Sequence, residues 1–477
     1  MLKYLLTTCV SITALLGQAT ADEPSHQGVP YSWKYPSSCA EVSSWGKIAA
    51  YKIASYLTDP LTKSREYFIR AQILDEIPPS SYVYQTVDSV FSYIKNLQLV
   101  DEKFLDSDYT AKFAEKCFLY SGAAMLGAIS PFTSAPAAVL RFVTSNTETQ
   151  NYIHYTSEAP EKQLPETGTF SHLQWNVCGI KAGYEIQSGA QMPIQDDLLF
   201  SHEYRIYKIA QKIIEEDADV VCLNEVFDFK DAAYLVDALQ NHYPHFVVHC
   251  GPRTVGISSG LFFATKFHVD DVHFTPFEKV KDNLAAIYAE KGFLTVDTSD
   301  SKGSIAKMIL THMLHSVSPS YPTKEEMRIR NEQMTHILET IDLDSEEHVV
   351  LAGDLNLDNE ELFSISPSLK EGFTKTLNYT ENNSEVTKTW LGDQWYIEFA
   401  NKHPHSSWFL QGPEREEKLP VSYGVDLDHV LVKKPQTQGA QAHVETKLKK
   451  TGYDPKVISR DSLSDHMMLV SKITLKR

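Results

Sequence analysis

The chain has 477 residues, which at about 100–200 residues per domain suits two or three domains. It is 42% hydrophobic and 22% charged with six cysteines, which excludes disordered, collagen-like and disulfide-dense classes. A formal charge of −18, from 44 basic and 62 acidic residues, repels nucleic-acid phosphates but leaves room for a local, metal-screened phosphate site.

Residues 1–21 read as a secretory signal peptide: Lys3, an apolar stretch from Tyr4 to Gly17, then Ala19-Thr20-Ala21. The apolar part is short for a membrane span, so export to the medium, periplasm or cell envelope is expected. Cleavage leaves Cys39, Cys117, Cys178, Cys222 and Cys250, an odd number with no C-x-x-C pair. Cys178 and Cys222 sit in apolar, strand-like runs and read as small buried hydrophobes. One disulfide stays open for an oxidising compartment.

Residues 22–155 read as a helical N-terminal domain. Glu41 to Leu57, Lys63 to Ile77, Val83 to Leu99 and Ser107 to Phe118 carry apolar residues at mixed 3–4 spacing, and Pro78-Pro79 breaks the run. Residues 118–140 contain no charge and carry Pro131 and Pro136. That stretch admits two readings, a buried helical hairpin or a membrane-contacting one. Residues 156–169, with Pro160, Pro165 and Gly168, read as a linker.

From Phe170 to residue 477 the texture becomes strand–helix alternation, which predicts a layered α/β domain. Strands are predicted at His172 to Val177, Asp219 to Leu223, Phe246 to His249, Gly260 to Thr265, Gly292 to Val296 and Ile305 to Thr311. More follow at His348 to Ala352, Val430 to Lys433 and Met467 to Ile473. Helices are predicted at Glu203 to Glu216, Ala232 to His242 and Lys324 to Ile341.

Several strand ends carry polar residues that packing does not require. They are Asn176, Asn224-Glu225, Thr311-His312, Gly353-Asp354-Leu355-Asn356, Asp426-Leu427-Asp428-His429 and Ser464-Asp465-His466. Loops at strand ends present side chains on a rigid base. Asp, Glu and Asn oxygens suit a hard cation such as magnesium. Two histidines then serve a hydrolysis, one taking a proton from water and one stabilising charge on phosphate oxygens. A carboxylate holds a histidine in its working tautomer. Each motif alone is weak, since Asp-x-Asn and Ser-Asp-His also make turns and caps. Six of them beside apolar strands are a much stronger signal.

With these motifs the chain resembles, over residues 170–477, the endonuclease/exonuclease/phosphatase superfamily, the fold of pancreatic-type deoxyribonuclease. Within it the chain looks most like the neutral, magnesium-dependent sphingomyelinases. Asn224-Glu225-Val226-Phe227-Asp228 stands where nucleases more often have Gln-Glu, and Lys291-Gly292-Phe293 matches a Lys-Gly element. Tyr243-Pro244, Ser259-Gly260, Thr311-His312 and Arg330-x-x-Gln333 also fit. Gly424-Val425-Asp426-Leu427-Asp428-His429 replaces the Pro-x-Trp-Cys-Asp-Arg motif of the inositol polyphosphate 5-phosphatases.

The resemblance implies a deoxyribonuclease-like α/β sandwich and a role for each matched residue. Glu225 is then the principal magnesium ligand, with Asn176 close by and Asp465 beside the metal. Asp354 and Asn356 bind and orient the phosphate and the attacking water. His466 is the general base, oriented by Asp428, and His312 stabilises the five-coordinate phosphorus. The implied reaction is hydrolysis of sphingomyelin to ceramide and phosphocholine at a phospholipid membrane surface, with no nucleic acid as partner. His315 and Asp426 are the rivals of His312 and Asp428, and His429 reads as structural. Another superfamily phosphoesterase, a nuclease or lipid phosphatase, is the second reading, and a non-catalytic binding protein the third.

Two departures stand out. Thr389-Trp390 starts a Thr-Trp-Asp element but Leu391 follows, and the helical N-terminal region has no counterpart in small secreted bacterial relatives. Trp395-Tyr396 and Trp408-Phe409 could meet the lipid interface or choline, or simply pack.

Overall fold

The computed structural model describes residues 151–179, 202–251, 258–278, 290–315, 324–357, 367–374, 426–434, 441–449, 463–464 and 466–476, with residue 362 and helical residues between 120 and 139. The segment 1–21, most of 22–155, Asp465, Thr389-Trp390, Trp395-Tyr396 and Trp408-Phe409 lie outside the described residues.

In chain order the elements begin β1 (Ile153–Thr156), β2 (Thr169–Asn176), α1 (His202–Glu216), β3 (Val220–Asn224), α2 (Phe229–Leu239) and β4 (His245–Val248). Next come β5 (Phe262–Thr265), β6 (His268–Pro276), β7 (Gly292–Asp300), β8 (Gly303–His312), α3 (Lys324–Glu339) and β9 (Val349–Asp354). The last are α4 (Pro367–Gly372), β10 (Phe373–Thr374), β11 (Asp428–Lys433), β12 (Gln441–Lys449) and β13 (Met468–Lys476). The strands form a seven-stranded sheet, β1-β4-β5-β3-β2-β13-β12, and a six-stranded one, β10-β11-β9-β8-β7-β6. This is the layered α/β architecture expected from the sequence.

Side-chain alternation explains the layering. Val220, Cys222, Phe263 and Leu469 of the first sheet share one core with Val296, Met308, Leu310, Val350, Ala352 and Val430 of the second. The intervening residues Ile309, Val349, Leu351 and Leu431 face the other way and pack with Met334 and Ile337 of α3. Strands buried on both faces need a nearly continuous apolar run, and β3 and β9 are buried throughout.

Two parallel pairs organise the rest. β2 pairs with β3, with α1 between them in the chain, and the register sets Asn176 opposite Asn224. β8 pairs with β9, with α3 between them, and sets His312 opposite Asp354. Antiparallel β11 begins opposite the same point, Asp428 against Asp354. The register therefore brings the polar strand ends to one rim of the sandwich.

The sheet starts earlier than His172, where the sequence places the first strand: β1 pairs with β4, Ile153 opposite Val248. The stretch read as a linker is tied down as well. Lys162 N donates to Lys266 O at 2.7 Å and Leu164 N to Asp300 Oδ2 at 2.8 Å. In the uncharged stretch 118–140, Met125 is 54%, Phe132 81% and Val139 63% exposed. Among the described residues no helix is long and apolar enough to cross a membrane.

Gly353 shows how tightly the seam is built. Its φ is +149°, and a Cβ there would lie 2.0 Å from Thr311 O on the neighbouring strand. We expect Gly353→Ala to destabilise the protein by more than about 1 kcal/mol, seen as a lowered urea midpoint. An unchanged midpoint would mean that β8 and β9 can separate freely.

Candidate active site

The rim is held together by carboxamides that bond from one sheet to the other. Asn224 Oδ1 accepts from Asp354 N at 3.0 Å, and Asn224 Nδ2 donates to Thr311 O at 2.9 Å. Gln174 Nε2 donates to the same Asn224 Oδ1 at 2.5 Å. Asn176 Nδ2 donates to Asp354 Oδ2 at 2.9 Å and to Glu225 Oε1 at 3.1 Å. All of these residues except Glu225 are buried, so each bond also satisfies a group that water cannot reach.

A second group of bonds fixes the loops. Arg205 of α1, 1% exposed, donates to the carbonyls of Val177 at 2.7 Å, Cys178 at 2.7 Å and Leu463 at 3.0 Å. Ser464 Oγ donates to Asn176 O at 2.5 Å and accepts from His466 N at 3.1 Å. Trp175 Nε1 donates to His466 O at 3.2 Å. Gln333 Oε1 accepts from Leu314 N at 2.9 Å, and Arg330 donates to Leu314 O at 3.3 Å, which steadies the chain after His312. Asp228 caps α2 by accepting from Lys230 N at 2.7 Å.

The backbone at the rim is unusual. Cys178, Glu225 and Asn356 have φ of 47°, 67° and 52°, the left-handed region that costs L-residues about 1–2 kcal/mol each. Asn tolerates this conformation, but Glu seldom adopts it. Gly260 packs beneath Glu225: a Cβ there would lie 3.1 Å from Glu225 Cα. Val226 N bonds Gly260 O at 2.9 Å and holds the turn. Strain of this kind persists where the surroundings over-determine it, and here it aims Glu225 at the rim.

On this frame His466 Nδ1 hydrogen-bonds Asp428 Oδ2 at 2.7 Å. Its Nε2 faces Asp354 Oδ2 at 4.0 Å. His312 Nε2 lies 3.5 Å from Asp354 Oδ2 and 3.9 Å from Glu225 Oε1. Asn356 N donates to Asp354 Oδ1 at 3.0 Å, and its Nδ2 to Met313 O at 3.3 Å. The structure thus brings together Asn176, Glu225, His312, Asp354, Asn356, Asp428 and His466. His429 Nε2 bonds Leu357 O at 2.6 Å. Sequence reasoning missed Arg205 and Gln174, which no motif marks, and left Asn224 without a role of its own.

Charge explains the donor set. Glu225, Asp354 and Asp428 converge with His312 and His466 in two overlapping groups whose ligand atoms lie within 4.8 Å of one another. Burial, followed by the Asp428 charge, raises the Asp354 carboxyl to about 7. Burial also pushes Lys291 down to about 8, against the pull of Glu225 and Asp354. His312 is held neutral by burial and then by Lys291. One ammonium against these carboxylates leaves excess negative charge, which a dication would offset. Carboxylate oxygens are donors a hard divalent cation takes, so the residues fit one.

A family model described as the Endonuclease/Exonuclease/phosphatase family matches residues 173–466, more than half of the chain. The chain belongs to this family, and its fold is a phosphoesterase fold. Sphingomyelinase C from Streptomyces griseocarneus is similar at 17% identity, over 64% of this chain and 99% of that one, with a TM-score of 0.42. A beta toxin variant from Staphylococcus aureus with bound magnesium ions is similar at 18% identity, over 63% and 98%, with a TM-score of 0.43. D. rerio TDP2 complexed with a single strand DNA product is similar at 15% identity, over 64% and 99%, with a TM-score of 0.41. No curated protein sequence matches the chain.

Two predictions follow from the rim itself. Asn224→Ala strands the Asp354 N–H and the Thr311 carbonyl, at about 1–3 kcal/mol for each unsatisfied group, so its urea midpoint should fall well below that of the wild type. A small shift would mean that water replaces the clasp. The second concerns pH. A carboxyl raised to about 7 in the folded chain stabilises it below the ordinary carboxylate range, and that contribution is lost as pH rises through about 7. In chelator, wild-type stability should therefore fall relative to Asp354→Asn between roughly pH 4 and pH 7. Parallel stability curves for the two proteins would contradict the buried, raised carboxyl.

Proposed function

We propose that the protein is a magnesium-dependent sphingomyelin phosphodiesterase that acts at a phospholipid surface. The observation that carries the reading is the His466–Asp428 pair, at 2.7 Å, set beside the converging Glu225 and Asp354 carboxylates. The Asn224-Glu225-Val226-Phe227-Asp228 and Lys291-Gly292-Phe293 stretches favour the sphingomyelinase branch over nucleases and inositol phosphatases. The charge of −18 counts in the same direction, against a polyanionic substrate.

In this mechanism Asp428 accepts the Nδ1 proton of His466 and leaves Nε2 basic. Nε2 takes a proton from water as the water oxygen attacks phosphorus. The Asn356 carboxamide and Asp354 carboxyl orient the phosphate and the water. His312, with Lys291 behind it, faces the oxygens on which charge builds in the five-coordinate state. The bond to the ceramide oxygen breaks, the departing oxygen takes up the proton held on His466 Nε2, directly or through water, and phosphocholine and the alcohol leave. Bound magnesium would neutralise phosphate oxygens and stabilise the unactivated alkoxide leaving group. Asp465 is proposed to complete the metal's surroundings.

The uncharged stretch 118–140 supports lipid contact, since Met125, Phe132 and Val139 stand exposed in it. Export, with the chain acting on an outward-facing membrane, completes the reading.

The test is phosphocholine release from sphingomyelin vesicles. We expect release with magnesium, none with chelator, and a loss of about 10²–10⁴-fold in His466→Ala with the fold intact. Glu225→Gln should raise the magnesium concentration needed for half-maximal rate. No release by folded, magnesium-saturated protein would overturn the sphingomyelinase reading and turn the search to other phosphodiesters.

A further inference from the structure

A second cluster of metal-ligating side chains lies at the other end of the first sheet. Glu161 Oε1 is 2.9 Å from His245 Nε2 and 2.8 Å from His268 Nδ1. Three elements far apart in sequence meet there: the segment after β1, the first residue of β4 and the first residue of β6. His245 is 4% exposed, whereas the Glu161 and His268 side chains are 42% and 49% exposed, so an ion can reach them from solvent. The ring of His154 lies tilted against that of His245, centroids 5.6 Å apart, and its Nε2 is buried without a hydrogen-bond partner. His154 and His245 share a face because β1 and β4 pair antiparallel, His154 opposite Val247 and Thr156 opposite His245.

The cluster is separate from the rim. His245 pairs with Thr265, and Thr265 with Val220, the first residue of β3, while Asn224 at the rim is the last. Strand β3 alone thus puts roughly 13 Å between the two places. The Glu161 segment is already held there by its backbone, through Lys162 N on Lys266 O at 2.7 Å.

We propose that Glu161, His245 and His268 form a zinc site, with a fourth position left for water or for His154. Two imidazole nitrogens and a carboxylate oxygen gather within 4.8 Å of one another, close enough to surround a single ion. Zinc–ligand bonds of about 2.0–2.1 Å put tetrahedral ligand atoms about 3.3 Å apart; the two contacts to Glu161 Oε1 would open by a few tenths of an ångström, and all three ligand atoms already lie within 4.8 Å of one another. Imidazole donors select zinc and its neighbours over magnesium, which takes oxygens. The metal would pin the segment leading into β2 to the β4 and β6 ends of both sheets, stiffening the sandwich where it carries no chemistry.

The experiment uses the full chain, stripped with chelator and then held in millimolar magnesium to saturate the rim. Zinc is titrated by calorimetry, and the thermal midpoint is followed in parallel. We expect one zinc per chain, a raised midpoint, and at least about a tenfold weaker affinity in His268→Gln. Glu161→Gln, on an exposed side chain, serves should His268→Gln fail to fold. His466→Ala should bind zinc as the wild type does, which separates this site from the rim. No zinc uptake in magnesium, or equal uptake by the Glu161 and His268 variants, would overturn the proposal. Neither outcome depends on which phosphodiester the protein cleaves.

Discussion

The contact on which the rest of the site depends is the Asn224 carboxamide lying across the seam between the sheets. Its oxygen takes the Asp354 N–H and its nitrogen gives to the Thr311 carbonyl, so one side chain fixes the height of β3 against both β8 and β9. The two sheets otherwise meet through an apolar core, which resists separation but has little preference for register along the strands. Directional bonds at the rim supply the register that the core lacks. That is why buried polar residues concentrate there, among them Gln174, Asn176, Asn224 and Asp354.

Electrostatics then follow from where those bonds put charge. Asp354 is buried, faces His466 and His312, and feels Asp428, so its carboxyl is hard to ionise without a cation. Lys291 offsets part of the deficit from the start of β7 and itself loses affinity for its proton. The arrangement resembles a socket charged in advance for a dication and a phosphate. A surface cluster of the same residues would show none of this, because water would screen each charge. The left-handed backbone at Glu225 and Asn356 belongs to the same account: strain is tolerated because several bonds hold each residue in place.

The central strands were legible because β3, β8, β9 and β11 are buried on both faces and read as apolar runs. The site was legible for a related reason. A polar residue at the end of such a run has no packing purpose, so Asn224, His312 and Asp354 stand out after theirs and Asp428 before its own. What the sequence hid was amphipathic or solitary. β12 alternates exposed His443, Glu445 and Lys447 with buried Val444, Thr446 and Leu448, a period-two signal easily taken for a charged loop. β6 carries a bulge between Val269 and Asp271 that breaks its alternation. β1 is too short to outweigh the prolines that follow it. Arg205 looks like any surface cation of an amphipathic helix, and only the fold shows it buried against three carbonyls.

The Glu161 cluster was illegible for a further reason: its ligands are 84 and 107 residues apart in sequence, and no short motif links them. Only the pairing of β1, β4 and β5 makes them neighbours. The sandwich therefore carries polar clusters at opposite ends of β3, and their donor atoms differ in kind. Oxygens dominate where phosphate would be cleaved, since a hard cation that keeps its waters can exchange them for substrate. Imidazoles dominate at the far end, where a tightly held ion need only stay put. Exchangeable ligation suits turnover and inert ligation suits structure, so the same sheet can present a site of each kind.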